Sequence, residues 1–162
     1  MSSIRPLVLV DGPSGSGKTE WATSRAMETG FSLVSLDEVY PGWDGLDAGA
    51  RHVFTRVITP WCHGEEVWVP QWDWVRRCWS TPRLLPPGEG LMVEGCGAIT
   101  PRAASWATEV WWVDADASVR HQRALQRDGD DFAPFWERWA LQEKRFFSLM
   151  RSQEHATHRL VT

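Results

Sequence analysis

Gly12-Pro13-Ser14-Gly15-Ser16-Gly17-Lys18-Thr19 matches the phosphate-binding pattern G-x-x-x-x-G-K-[ST] at every fixed position. Each residue type has a task there. Gly12, Gly15 and Gly17 let backbone N–H groups close around phosphate oxygens, with Ser14 and Ser16 between them. Lys18 adds a mobile positive charge, Thr19 offers a hydroxyl to Mg²⁺, and the following helix presents its positive end. Before the loop, Leu7-Val8-Leu9-Val10 reads as a buried parallel strand. After it, Thr19 to Thr29 reads as a helix, with Gly30 placed to end it. A loop of this composition between strand and helix points to a nucleoside triphosphate.

The rest of the chain continues the alternation. Residues 31–35 read as a second strand running into Leu36-Asp37-Glu38, and a Pro/Gly-rich loop over 40–47 follows. Val53, Val57, Ile58 and Trp61 form a helical stripe over 49–62. Residues 67–69 predict a short strand stopped by Pro70, and 71–87 read mostly as loop with one helical turn. Strands are expected at 91–93 and 110–113, a helix over 117–127, a polar turn at 128–131, a long helix from Pro134 to about Glu154, and a final strand at 159–162. The expected fold is α/β: a three-layer α/β/α phosphate-loop domain, one domain over 1–162, with a parallel five-stranded sheet and a short lid at about 127–134. Ligands of such sheets bind beyond the carboxyl ends of the strands.

Composition narrows the classes. A length of 162 residues suits one domain with a sizeable core, and a net charge of −4 argues against nucleic acid or an anionic membrane as partner. Arg5 is the lone basic residue before a run of only four apolar residues, so neither a leader nor a membrane span is expected. Cys62, Cys78 and Cys96 read as free thiols of a cytoplasmic protein. Twelve tryptophans are unusual for this length: some must be core, the favoured reading for any one of them, and a cluster near a small-molecule site is the alternative, stacking on a flat ring.

Five groups carry candidate chemistry. Asp37, ending the second strand, is either a base for an incoming hydroxyl or a loop cap. Glu94, ending an apolar strand, is either linked to a metal or solvated at the sheet edge. Arg120, Arg123 and Arg127 recur on one helical face, which reads as a phosphate-facing lid or as a solvated face paired with Asp116 and Asp128. Trp72-Asp73-Trp74 with Arg77 is open between packing and ligand contact. Glu143 interrupts the apolar stripe of the last helix, reaching into the site or forming a buttressing salt bridge.

From Leu7 to about Phe147 the chain resembles the uridine kinase-like family of phosphate-loop nucleoside kinases. Asp37-Glu38-Val39-Tyr40 is similar to the family's Asp-x-Phe-Tyr, Pro70-Gln71-Trp72-Asp73-Trp74 to its Pro-x-Tyr-Asp-Phe, and Glu94-Gly95 to its Glu-Gly. The run from Val113 to Arg120, with Arg123, Arg127 and Asp128, is similar to its strand-to-lid segment. The resemblance implies ATP as co-substrate and Mg²⁺ held by Thr19 and Glu94. It implies Asp37 as base, Arg120 and Arg123 beside Lys18 on the transferring phosphoryl group, and Tyr40, Trp72, Trp74, Arg77 and Arg127 on the substrate side. Asp44 corresponds to the acid that holds ribose hydroxyls, with Asp47 as the competing choice.

Three departures bear on the acceptor. Arg77 stands where the family has a pyrimidine-reading His, both pocket aromatics are Trp, and the chain leaves little length for the family's β-hairpin region. The expected function is ATP- and Mg²⁺-dependent phosphoryl transfer to a hydroxyl of a small molecule, a nucleoside first. The alternatives are a kinase of a non-nucleoside metabolite and a nucleotide-binding regulatory protein without transfer activity.

Overall fold

A computed structural model describes residues 4–162. Five strands, β1 (Leu7–Asp11), β2 (Ser32–Ser35), β5 (Leu91–Glu94), β6 (Glu109–Asp114) and β7 (His158–Val161), form a parallel sheet in the order β2-β5-β1-β6-β7. The strand residues alternate between two apolar layers, as the pleat requires. Leu7 and Leu9 join Val110 and Trp112 in the larger core, while Val8 and Val10 join Val113 and Ala22 on the opposite face. Helix α1 (Lys18–Thr29) covers the smaller face. The larger is covered by α2 (Leu46–Val53), which continues through a π-type turn into α3 (Thr59–Cys62), by α4 (Pro101–Trp106) and by α6 (Trp136–Met150). Helix α5 (Ala117–Asp128) leads into two short 3₁₀ turns at 129–131 and 133–135 before α6. Among the described residues, no helix is long and apolar enough to cross a membrane.

The sequence-derived boundaries hold to within a few residues for the sheet strands, α1 and α5, and Gly30 ends α1 in the left-handed conformation. Other expectations are corrected. The stretch 71–87 is a β-hairpin, β3 (Trp68–Asp73) pairing antiparallel with β4 (Cys78–Leu84), and the chain does have length for one. Pro70 and Pro82 hid it, together with a β4 exposed at nearly every position, which erases the period-two signal. Pro70 sits where the register shifts, a place where a missing N–H is tolerated. Strand β5 lies between β1 and β2, so Asp37 and the loop after β1 are not on adjacent strands but at neighbouring carboxyl ends. The last long helix breaks at Arg151, left-handed at φ 51°, giving a separate 3₁₀ turn at 152–155. Helix α4 has no periodic signal in six residues and was not expected.

Candidate active site

The loop between β1 and α1 is tightly built. Gly15 has φ +79°, and a Cβ there would fall on the Arg120 carbonyl. A Cβ at Gly12 would meet the Val113 carbonyl. Arg123 Nη1 donates to Thr162 Oγ1 at 2.6 Å and Gly15 O at 3.4 Å, and the Thr162 hydroxyl donates to Ser16 O at 2.8 Å. The loop is therefore gripped from its outer side by α5 and the end of β7. On its inner side Asp11, fully buried, accepts N–H bonds from Gly12 at 2.7 Å, Gly97 at 3.1 Å and Ile99 at 2.9 Å. Burial lifts its carboxyl to about 7 against the opposing pull of those bonds and of Lys18.

Lys18 opens α1, is 7% exposed, and donates from Nζ to Pro13 O at 3.2 Å. Burial alone would lower its pKa, yet it lies above the ordinary lysine value because acidic groups surround it. The Cys96 thiol, pushed well up by burial, is neutral at pH 7, so Glu94, Glu143 and Asp37 do the holding. Glu94 is 1% exposed, and burial raises its pKa while Lys18 draws it back. Its Oε2 accepts from the Thr19 hydroxyl at 3.1 Å, and its Oε1 is buried with no hydrogen-bond partner among the described residues.

Beyond the strand ends a cavity of about 1030 Å³ brings together Ser14, Lys18, Thr19, Asp37, Tyr40, Asp44, Trp72, Trp74, Arg77, Glu94 and Arg127. Two elements position its acid and aromatics. Asp37 sits in a 3₁₀ turn capped by Ser35, whose hydroxyl accepts the Asp37 N–H. Its carbonyl accepts Trp74 Nε1 at 3.0 Å, while its carboxylate has no bonding partner among the described residues. The hairpin brings in Trp72, Trp74 and Arg77, held against the sheet by Arg83, which grips Glu38 through Nε at 2.6 Å and Nη2 at 2.9 Å. Asp73 caps the hairpin turn, its Oδ1 accepting from the Val75 and Arg76 N–H groups.

Several expected contacts are already committed. Tyr40 is 2% exposed, with its hydroxyl donating to Cys96 O at 2.6 Å and its ring edge-on to Trp139, so it floors the cavity. Asp44 is held bidentately by Arg138, with Nε to Oδ1 at 2.6 Å. Asp47 pairs with Arg51 and lies outside this cavity. Arg120 and Arg123 do not line it either. Arg120 Nε donates to Ala115 O at 3.0 Å and lies 3.6 Å from Asp114, and Arg123 grips the loop as described. Only Arg127 of that row reaches the cavity, beside Asp128. Glu143 makes no salt bridge among the described residues: its Oε1 accepts from Ser14 N at 2.9 Å and Ser14 Oγ at 2.7 Å.

Sequence reasoning passed over the far wall. Trp43 is stacked between Phe132 (5.0 Å) and Phe135 (4.8 Å), with Trp74 at 5.0 Å, and Arg138 and Trp139 complete that side. Trp43 carried one usable signal, a large aromatic in a Pro/Gly-rich loop. Phe135 and Trp139 lay on the apolar side of the long helix expected from Pro134 and read as core.

The buried side-chain polar atoms without a partner among the described residues are Ser16 Oγ in the loop, Glu94 Oε1 and Trp72 Nε1. Unpaired buried polar groups are costly in a folded interior, and here all three belong to the loop or the cavity wall.

Neither a family model nor a curated protein sequence matches this chain. Solved structures do. It is similar to a possible uridine kinase from Bacillus stearothermophilus, with TM-score 0.66 and 15% identity over 99% of this chain and 90% of that one. It is similar to a protein provisionally named a fructose transport system kinase from Silicibacter sp. TM1040, with TM-score 0.59 and 16% identity over 96% and 89%. An uncharacterized protein from Eubacterium ventriosum aligns at TM-score 0.51 and 13% identity over 96% and 86%. At such identities the likeness establishes architecture: the chain shares the α/β fold of these kinase-named structures.

Proposed function

We propose that this protein is an ATP-dependent small-molecule kinase that transfers a phosphoryl group to a hydroxyl, with a nucleoside as first candidate acceptor. The observation that carries the reading is Asp37: a carboxylate without a partner among the described residues, in the same cavity as Lys18, Thr19 and Glu94. A base for an alcohol must be free, near the phosphate clamps and open to the acceptor. In this reading the loop N–H groups and Lys18 hold the triphosphate, Asp37 takes the acceptor proton, and Arg127 adds positive charge from the lid side.

The residues also suit a hard divalent cation. Glu94 Oε1 is buried without a partner among the described residues, beside the Thr19 hydroxyl, an all-oxygen pair of the kind Mg²⁺ takes together with phosphate and water. Mg²⁺ bound there would neutralise charge on the phosphates.

A second reading keeps the chemistry and changes the acceptor. Arg77 lines the cavity without a carboxylate partner among the described residues, next to a tryptophan-rich wall. That pairing favours a ring-bearing acceptor with an anionic group, such as a nucleotide or another phosphorylated or carboxylated metabolite. A coupled ATPase assay over nucleosides, nucleotides, sugars and phosphorylated metabolites separates the readings, and ATP use that no acceptor stimulates refutes both in favour of a nucleotide-binding regulator. With the acceptor found, Asp37→Asn lowers turnover about 10²–10⁴-fold while nucleotide affinity stays near wild type. Unchanged turnover removes Asp37 from the mechanism.

A further inference from the structure

Helix α6 does two jobs along one face. Trp139 walls the acceptor side of the cavity, with Phe135 just before the helix, and one turn beyond Trp139 lies Glu143, 5% exposed. All three donors that Glu143 receives converge on a single oxygen. Oε1 accepts Ser14 N–H at 2.9 Å, Ser14 Oγ at 2.7 Å and the Cys96 thiol at 3.2 Å. The thiol also lies 3.2 Å from Gly12 O, so the cluster touches the loop at two residues. The same helix holds the acceptor-side loop: Gln142 Nε2 donates to Trp43 O at 2.6 Å, and Arg138 holds Asp44.

We propose that Glu143 is a positioning residue for the phosphate loop, setting Ser14 from the helix that also builds the acceptor wall. This assignment rests on the phosphoryl-transfer reading above. Its physical content is the place of one oxygen atom. Three donors buried in one spot are costly if that atom withdraws, and the loop then shifts to find other partners. Glutamine keeps an oxygen at that place and loses the charge. Aspartate keeps the charge and, one methylene shorter, withdraws the oxygen.

The pair therefore separates position from electrostatics. Calorimetric titration of the full chain with Mg²⁺ and a non-hydrolysable ATP analogue should find Glu143→Gln within about threefold of wild type and Glu143→Asp about tenfold weaker, the loss of roughly one well-made hydrogen bond. Thermal melts of the same variants show whether a loss of affinity exceeds any loss of folded protein. If Glu143→Asp unfolds, Ser14→Ala, which removes only the hydroxyl bond, takes its place and should bind several-fold more weakly. Wild-type affinity in the variant used, or tighter binding in Glu143→Gln as expected for mere relief of anion repulsion, overturns the assignment alone. A wild-type chain that binds no nucleotide overturns the phosphoryl-transfer reading and this assignment with it.

Discussion

Replacing Asp11 with asparagine tests the electrostatics beneath the loop. Asp11 is fully buried and its carboxyl sits at about 7, against 3.8 ordinarily. The folded value lies above the unfolded one, so the folded state holds a proton that the unfolded chain has released over that interval. Stability therefore falls as pH rises from about 4 to about 7, by about 1.4 kcal/mol per pH unit, and is flat above. The full span is about 4 kcal/mol, of which about 2.5 kcal/mol falls between pH 5 and 8. Asparagine does not titrate. At pH 5 it should be about 1–2 kcal/mol less stable than wild type, because its NH₂ must face one of the N–H groups of Gly12, Gly97 and Ile99. By pH 8 that deficit should vanish or reverse. Urea unfolding of both chains at pH steps from 5 to 8, read as the difference between them, isolates this group from the other carboxylates. A difference that stays constant, or grows with pH in favour of wild type, would mean that the three N–H bonds keep Asp11 ionised, and the reasoning fails.

Other perturbations follow from the same geometry. Gly15→Ala places a methyl group on the Arg120 carbonyl at a left-handed φ, so the loop must move, and nucleotide affinity should fall by about a hundredfold in a binding titration. Trp43→Ala removes the ring stacked between Phe132 and Phe135 and should cost about 2 kcal/mol. The same variant should speed hydrogen exchange over residues 129–135, and unchanged exchange there would show that the stack does not hold the segment. The loss of turnover in Asp37→Asn and the opposite behaviour of Glu143→Gln and Glu143→Asp complete the set.

How far the sequence carried the reading depends on the range of the interactions involved. The loop, its flanking strand and helix, and the sheet strands are local patterns of glycine, apolar runs and caps, and they were legible. Asp37, Glu94, Lys18 and Thr19 converge in one cavity because each ends a strand or opens a helix at the same sheet edge, which topology rules anticipate. The hairpin was not legible, because β4 has no buried face to impose alternation and Pro82 sits within it. The separate fates of Arg120, Arg123 and Arg127 were not legible either. Helical spacing puts them on one face, but Arg120 turns back to Asp114 and Ala115 just before the helix, while Arg123 meets Gly15 and Arg127 meets the cavity, both built by distant parts of the chain.

Sequence alone determined that a glycine loop with Lys18 and Thr19 follows a buried strand in an α/β chain, since backbone freedom and apolar periodicity act over a few residues. Tertiary structure alone decided that Glu143 grips Ser14 across 129 positions of sequence, and that Asp44 belongs to Arg138. It also decided that Trp43 joins Phe132 and Phe135 in the far wall. Those pairings depend on how α6 lies against the sheet, and hydrogen bonds and ring stacks form only where packing brings the groups within a few ångströms.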